Sequence, residues 1–368
     1  MTSSDSHDGR PLPRAFVLEL TRGCNYRCRY CYAVWQNPEL GYLEQRGELT
    51  TGQIKQLVTK LQSEAPVTTI ALSGGEPTLR RDLPEIVSFL VERRISPVVI
   101  TNGSRLTPEL VGELPDVVTF EVTLLSYRPE VHDELVGWPG AWRAVIDGMN
   151  ALRKADRTFV AVFVASRKNC RDLETTAELA VACGASGLMY NRLNLSAHNF
   201  SSADQLLPDP ASIQENLDAL ERIAGTYDLP MAVSVVVEPC VVDVSKYEKL
   251  RFGWCPLAGK DSYFTIDPAG NLRICNHSPV ILGNLFEESF AHIYYHHPYV
   301  REFRDAWPEE CRNCRPEWKE ICRGGCKAAA EQCYGTIRRV DPFVTLSRMT
   351  ADSATETDLR GRLPVATL

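Results

Sequence analysis

AFVLELTRGCNYRCRYCYAVW, residues 15–35, opens as a short apolar run and closes as a loop carrying three cysteines. The run AFVLEL (15–20) has the length and composition of a buried strand. Directly behind it, Cys24, Cys28 and Cys31 stand in a C-x3-C-x2-C spacing. Three thiolates can bind three irons of a cubane [4Fe–4S] cluster and leave the fourth iron without a protein ligand, open to a substrate. A zinc site completed by a distant fourth ligand is the alternative, although zinc loops favour C-x2-C pairs.

Outward from this stretch, apolar runs alternate with segments of helical periodicity as far as Val237, the signature of repeated βα units and a parallel sheet. Strands are expected at VTTIAL (67–72), PVVIT (97–101), VVTFEVTL (117–124), TFVAVFVA (158–165), GLMYNRL (187–193) and MAVSVVV (231–237). Helix starts are marked by Thr50 before TGQIKQLVTKL and by Pro84 and Pro108 in the first turns of their segments. In such folds the functional groups gather on loops after the strands. Beyond Val237 Pro, Gly and Cys become frequent, and the segment 253–334 reads as held together by ligands rather than by a large apolar core. The expected division is a flexible tail over 1–13, a barrel domain over 14–240, a cysteine-rich domain over 241–340 and a C-terminal tail over 341–368.

With 368 residues, 44% of them hydrophobic and 24% charged, the chain has material for one large α/β domain and an appendage. A net charge of −7 argues against nucleic acid or an anionic membrane as partner. No apolar run approaches the ~20 residues of a membrane span, and MTSSDSHDGRPLP lacks the form of a secretory signal. A cytoplasmic location is therefore expected, and thirteen unevenly spaced cysteines in a reducing compartment read as metal or cluster ligands rather than disulfides.

The motif C-x3-C-x-aromatic-C, with Tyr30 as the aromatic residue, resembles the signature of the radical S-adenosylmethionine (SAM) superfamily. The resemblance implies a partial (βα)6 TIM-type barrel in which the free iron chelates SAM. Reductive cleavage of SAM then gives a 5′-deoxyadenosyl radical that abstracts a substrate hydrogen. Gly74, Gly75, Glu76 and Pro77, after the second strand, look like the family's GGEP motif, which implies that glycine backbone and the Glu76 carboxylate receive the SAM ammonium. The physics agrees, since glycine permits close backbone approach and a carboxylate suits a cation. By the same resemblance Asn102, in TNG (101–103), Thr123, Ser166 and Arg167 would serve SAM. The family's SLDG is here Thr123-Leu124-Leu125-Ser126, without the aspartate.

Farther on, Cys255, Gly270, Cys275, Cys311, Cys314, Cys322, Cys326 and Cys333 resemble the pattern of the SPASM auxiliary-cluster domain, with seven residues instead of five between Cys314 and Cys322. Carried over by position, Cys255, Cys275 and Cys326 would bind a first auxiliary [4Fe–4S] cluster, and Cys311, Cys314, Cys322 and Cys333 a second. The first then lacks a fourth ligand, which Cys240 could supply unless the site stays open. A zinc ribbon is the alternative reading of these spacings.

Cys170 and Cys240 follow strands and are candidate hydrogen donors to a substrate radical, or simply small buried residues. Cys183, late in a helix, reads as core, and His296-His297 as solvent-facing. Tyr32, Trp35 and Tyr42 either stack on adenine or pack. The family resemblance implies a peptide maturase that oxidises or cross-links a residue of a ribosomally made precursor. With about fourteen residues before the first strand, a separate leader-binding protein is expected, and a flavodoxin, ferredoxin or reductase would supply electrons. Oxidation or epimerisation of a small molecule such as a sugar or aminoglycoside, and a non-catalytic zinc-binding protein, are the alternatives.

Overall fold

The computed structural model describes residues 10–36, 47–255, 257 and 262–352. Its strands are β1 (Ala15–Thr21), β2 (Thr69–Gly74), β3 (Ser96–Thr101), β4 (Thr119–Thr123), β5 (Phe159–Ala165), β6 (Gly187–Arg192), β7 (Met231–Val233), β8 (Leu250–Phe252), β9 (Tyr263–Ile266), β10 (Asn271–Arg273) and β11 (Ile281–Asn284). They form one open sheet in the order β11-β10-β9-β1-β2-β3-β4-β5-β6-β7-β8. Pairing is parallel from β9 through β1 to β8 and antiparallel among β9, β10 and β11. The chain is thus an α/β protein with an open, barrel-type parallel sheet.

All seven expected strands form. Helices return the chain between them, as parallel pairing requires. Thr50 closes a capping box on the helix Thr51–Glu64, while Pro84 and Pro108 sit in first turns, where a missing N–H costs nothing. The seventh strand is shorter than its apolar run. Arg192 Nε takes the Val236 carbonyl at 2.6 Å and Arg192 Nη2 pairs with Glu238 at 3.0 Å, which draws residues 236–238 out of the ladder.

The cysteine-rich segment departs from expectation: it shares the core of the barrel. Phe264 and Phe290 stack edge-on with ring centroids 5.5 Å apart, and Phe290 meets Phe16 of β1 at 5.0 Å. These rings belong to a single buried cluster that runs from Phe16 to Leu346. β9–β11 escaped the sequence reading because they are short and interrupted by Gly, Pro and Cys. The segment expected as a tail from 341 begins with the helix Pro342–Asp352, whose Phe343 and Val344 are buried, and with Asp341, which pairs with Arg192 at 2.6 Å.

Candidate active site

The loop after β1 carries Cys24, Cys28 and Cys31 and is tied down on three sides. Thr21 Oγ1 and Arg22 N donate to Glu48 Oε1 at 2.9 and 2.7 Å. Arg27 N and Arg29 N donate to the carbonyls of Val136 and Leu135, at the end of the helix Pro129–Val136, each at 3.0 Å. Tyr26 is buried with Leu125, Leu135, Val136 and Ala141. The third tie is Asn25, which receives Asn102 Nδ2 on its Oδ1 and donates to Ser104 Oγ, both at 2.9 Å. Asn25 and Glu48 are the residues that sequence reasoning missed, because nothing in their local sequence reveals partners so far along the chain.

Gly74 and Gly75 serve this loop directly. A Cβ on Gly74, whose φ is +119°, would stand 2.4 Å from the Thr21 carbonyl oxygen, and one on Gly75 would stand 2.1 Å from that of Gly23. The glycines thus let β2 close against the cysteine loop, with Gly75 N and Glu76 N donating to Thr21 and Gly23 carbonyls at 2.8 and 2.9 Å. The Glu76 carboxylate, expected to receive the SAM ammonium, is already engaged by donors of the protein. It is 1% exposed and accepts from Thr78 N (3.1 Å), Thr78 Oγ1 (2.5 Å), Thr101 Oγ1 (2.7 Å) and Asn102 N (2.8 Å). Three bonds fall on Oε1 and one on Oε2, so Oε2 alone keeps a lone pair for a ligand. Pro77 opens the short turn Pro77–Leu79 behind it.

The remaining candidates are less concentrated. Thr123 ends β4, half-buried. Ser166 is enclosed, its hydroxyl bonded to Asn169 Oδ1 at 2.9 Å, and Arg167 Nε reaches the Leu207 carbonyl at 3.3 Å in an outer crevice. Cys170 takes the second of its two readings, a small buried residue: it is 5% exposed in the core, and its carbonyl accepts from Asn216 Nδ2 at 2.8 Å. Leu125, where the family has aspartate, and Ser126, where it has glycine, bind inward. Leu125 N donates to His132 Nδ1 at 3.2 Å and Ser126 Oγ to Asp172 at 2.6 Å. Cys183 lies in the core. His297, expected in solvent, caps the helix Pro298–Asp305. Tyr32 reaches the C-terminal segment, receiving Asn276 Nδ2 at 2.5 Å and tilting over His277 at 5.3 Å. Tyr42 lies outside the described residues, and Trp35 is half-buried in the turn Val34–Gln36.

The C-terminal thiols separate into two groups. Cys326 accepts from Asn194 Nδ2 at 3.6 Å, and Cys255, Cys275 and Cys326 all lie within electrostatic reach of Tyr263. Cys311, Cys314 and Cys322 line a crevice on the other side, together with Cys240. A C-x3-C pair on one helix would share a face. Here Arg323, Gly324 and Gly325 all have positive φ (52°, 88° and 81°), so the chain reverses between Cys322 and Cys326 and delivers them to different groups. Cys333 does not line the Cys311 crevice, contrary to the positional expectation.

The donor set fits iron–sulfur chemistry. At the first loop three thiols, without a fourth cysteine, leave one corner of a cubane open. Burial pushes the Cys28 thiol up to about 12, reinforced by Cys31 and Cys24, and raises those of Cys24 and Cys31 as well. Such thiols release protons only when iron binds, so cluster assembly here is coupled to proton release.

A sequence profile of the Radical SAM superfamily matches residues 18–180, and one of an iron–sulfur cluster-binding domain, SPASM, matches 255–315. The AdoMet-dependent heme synthase of Methanosarcina barkeri is 29% identical over 90% of this chain and 96% of its own length. The PqqA peptide cyclase of Bradyrhizobium diazoefficiens is 27% identical over 91% of this chain and 87% of its own. Among solved structures, Streptococcus suis SuiB bound to precursor peptide SuiA superposes with a TM-score of 0.70 at 14% identity, covering 90% of this chain and 75% of that one. The shared fold follows from that superposition. Proteins with both domains work with SAM on a [4Fe–4S] cluster and with auxiliary clusters. Two profiles thus meet in one chain, each over cysteines that the fold gathers, and the chain belongs to the radical SAM superfamily and carries its SPASM domain.

Proposed function

We propose that this radical SAM enzyme oxidises or cross-links a residue of a ribosomally made precursor peptide. Similarity to a PqqA peptide cyclase along 91% of the chain, both domains included, carries the reading. Cys24, Cys28 and Cys31 would hold the SAM-binding cluster, with the Gly74–Pro77 turn, Asn102 and Thr123 around the bound SAM. Cluster and SAM together supply a 5′-deoxyadenosyl radical that takes a hydrogen atom from the substrate. The protein's own task is placement. Asn25 and Asn102 fix the cysteine loop against β3, and Tyr32 ties it to the Cys275 loop. A leader-binding protein and a flavodoxin or ferredoxin are the proposed partners.

The heme synthase, 29% identical over nearly its whole length, favours a second reading in which the substrate is a small molecule, an iron porphyrin. The two are separated by reconstituting the protein anaerobically, reducing it with dithionite and measuring 5′-deoxyadenosine from SAM with either substrate class. Stimulation by precursor peptides with a matching mass change supports the first reading. Stimulation by an iron porphyrin alone, with a matching mass change in the porphyrin, overturns it.

A further inference from the structure

The crevice holding Cys311, Cys314 and Cys322 has a fourth thiol on its wall, that of Cys240. The four come from three separate stretches: the loop after β7, the turn Glu309–Cys311 with its continuation to Cys314, and the end of the helix Pro316–Cys322. Folding alone brings Cys240 to the other three, since about seventy residues of chain intervene. All four line one crevice, and a cubane cluster takes four such ligands.

Two further observations mark Cys240 as part of a charged site. Arg348 Nη2, from the helix Pro342–Asp352, lies 3.9 Å from Cys240 Sγ as a donor to sulfur. Lys319 borders the same crevice. Cations beside thiolate sulfur stabilise the anionic ligand set and raise the potential of a cluster held there. Cys333 stands apart. It lies in the last turn of the helix Lys327–Tyr334, beyond the left-handed turn at 323–325, and its neighbouring thiol is Cys326.

We propose that Cys240 is the fourth ligand of the second auxiliary cluster, completing a four-thiolate set with Cys311, Cys314 and Cys322, and that Cys333 is not a ligand of that cluster. The proposal rests on reading the C-terminal cysteines as cluster ligands. It reassigns the role that position in the sequence pattern gives to Cys333, and it withdraws Cys240 both from hydrogen donation and from the first auxiliary cluster. All four thiols give up their protons to solvent as the cluster assembles.

The test uses the full-length protein, reconstituted anaerobically with iron and sulfide, and reads iron per chain and the electron paramagnetic resonance spectrum of the reduced clusters. Cys240→Ala and Cys311→Ala are each expected to lose up to about four irons and the same spectral component, and the double variant to lose no more than either alone. Cys333→Ala is expected to keep that component. Should alanine at 240 compromise folding, Cys240→Ser keeps an oxygen ligand and is expected to alter the component that Cys311→Ser alters. Additive iron loss in the double variant, or a Cys240→Ser spectrum identical to wild type, overturns the assignment. Wild-type protein holding only about four irons, or zinc in the crevice, overturns the auxiliary-cluster reading as well.

Discussion

Cys28 sits at the middle of the cysteine loop, where burial and two neighbouring thiols make its proton hard to remove unless iron takes its place. Cys28→Ala is expected to abolish 5′-deoxyadenosine formation under dithionite, and detectable product would contradict its place as a ligand. Glu76 leads to a different expectation. Its carboxylate accepts four hydrogen bonds, two from Thr78 in its own turn and two, from Thr101 and Asn102, that join the turn to β3, so Glu76→Ala leaves buried donors on Thr78, Thr101 and Asn102 unpaired, at about 1–3 kcal/mol each. Calorimetry should therefore show a fall in Tm of several degrees beside any loss of SAM affinity. Weakened SAM binding at unchanged Tm would restore a purely ligand-directed role. The cysteines were legible in the sequence because cluster ligands declare themselves by local spacing. Glu76 was only half legible, since Thr101 and Asn102 come from the next βα unit. Asn25, between Cys24 and Tyr26, was silent for the same reason.

At the scale of elements, the turn after β2 and the loop after β1 are fitted so closely that one methyl group decides the contact. Gly75→Ala would put carbon 2.1 Å from the Gly23 carbonyl oxygen, where backbone rather than a flexible side chain has to yield. We expect this variant to lose the change that SAM produces in the spectrum of the first cluster while its auxiliary-cluster spectrum persists; a normal response to SAM would show that the loop shifts freely. The helix Pro129–Val136, which holds the same loop from its other side, contains His132, buried and lowered to about 4 chiefly by desolvation. The unfolded chain takes a proton near 6.5 and the folded chain only near 4, so stability is full above about 6.5 and declines as pH falls toward 4. The difference approaches about 3 kcal/mol at its full extent. Denaturation midpoints measured between pH 7 and 4 should fall less steeply in His132→Asn, and parallel curves would remove His132 from the account. The seven barrel strands were readable because each lies in a mostly apolar run of five to eight residues. β8 to β11 were not, because three or four residues among Gly, Pro and Cys carry too little periodicity to register.

Across the whole molecule the two expected domains share one sheet and one core. Arg273 on β10 is buried against Glu19 on β1, a pairing that spans most of the chain and leaves no local trace in sequence. Phe264→Ala, which removes the ring packed between Phe290 and Tyr294, should cost about 3–5 kcal/mol. It should do so in a single transition, with the visible absorbance of the first cluster and the far-ultraviolet dichroism disappearing together on denaturant titration. Separate transitions would mean that the cysteine-rich segment unfolds on its own. The register of β9 beside β1 also bears on how the protein is made. Ala15 pairs with Tyr263, so the partner of the first strand leaves the ribosome roughly 250 residues after it. At synthesis rates of about 5–20 residues per second that interval is about 12–50 s. Throughout it, one side of the strand that leads into the cysteine loop has no permanent neighbour, and an unpaired strand edge is a template for pairing with another chain until β9 arrives.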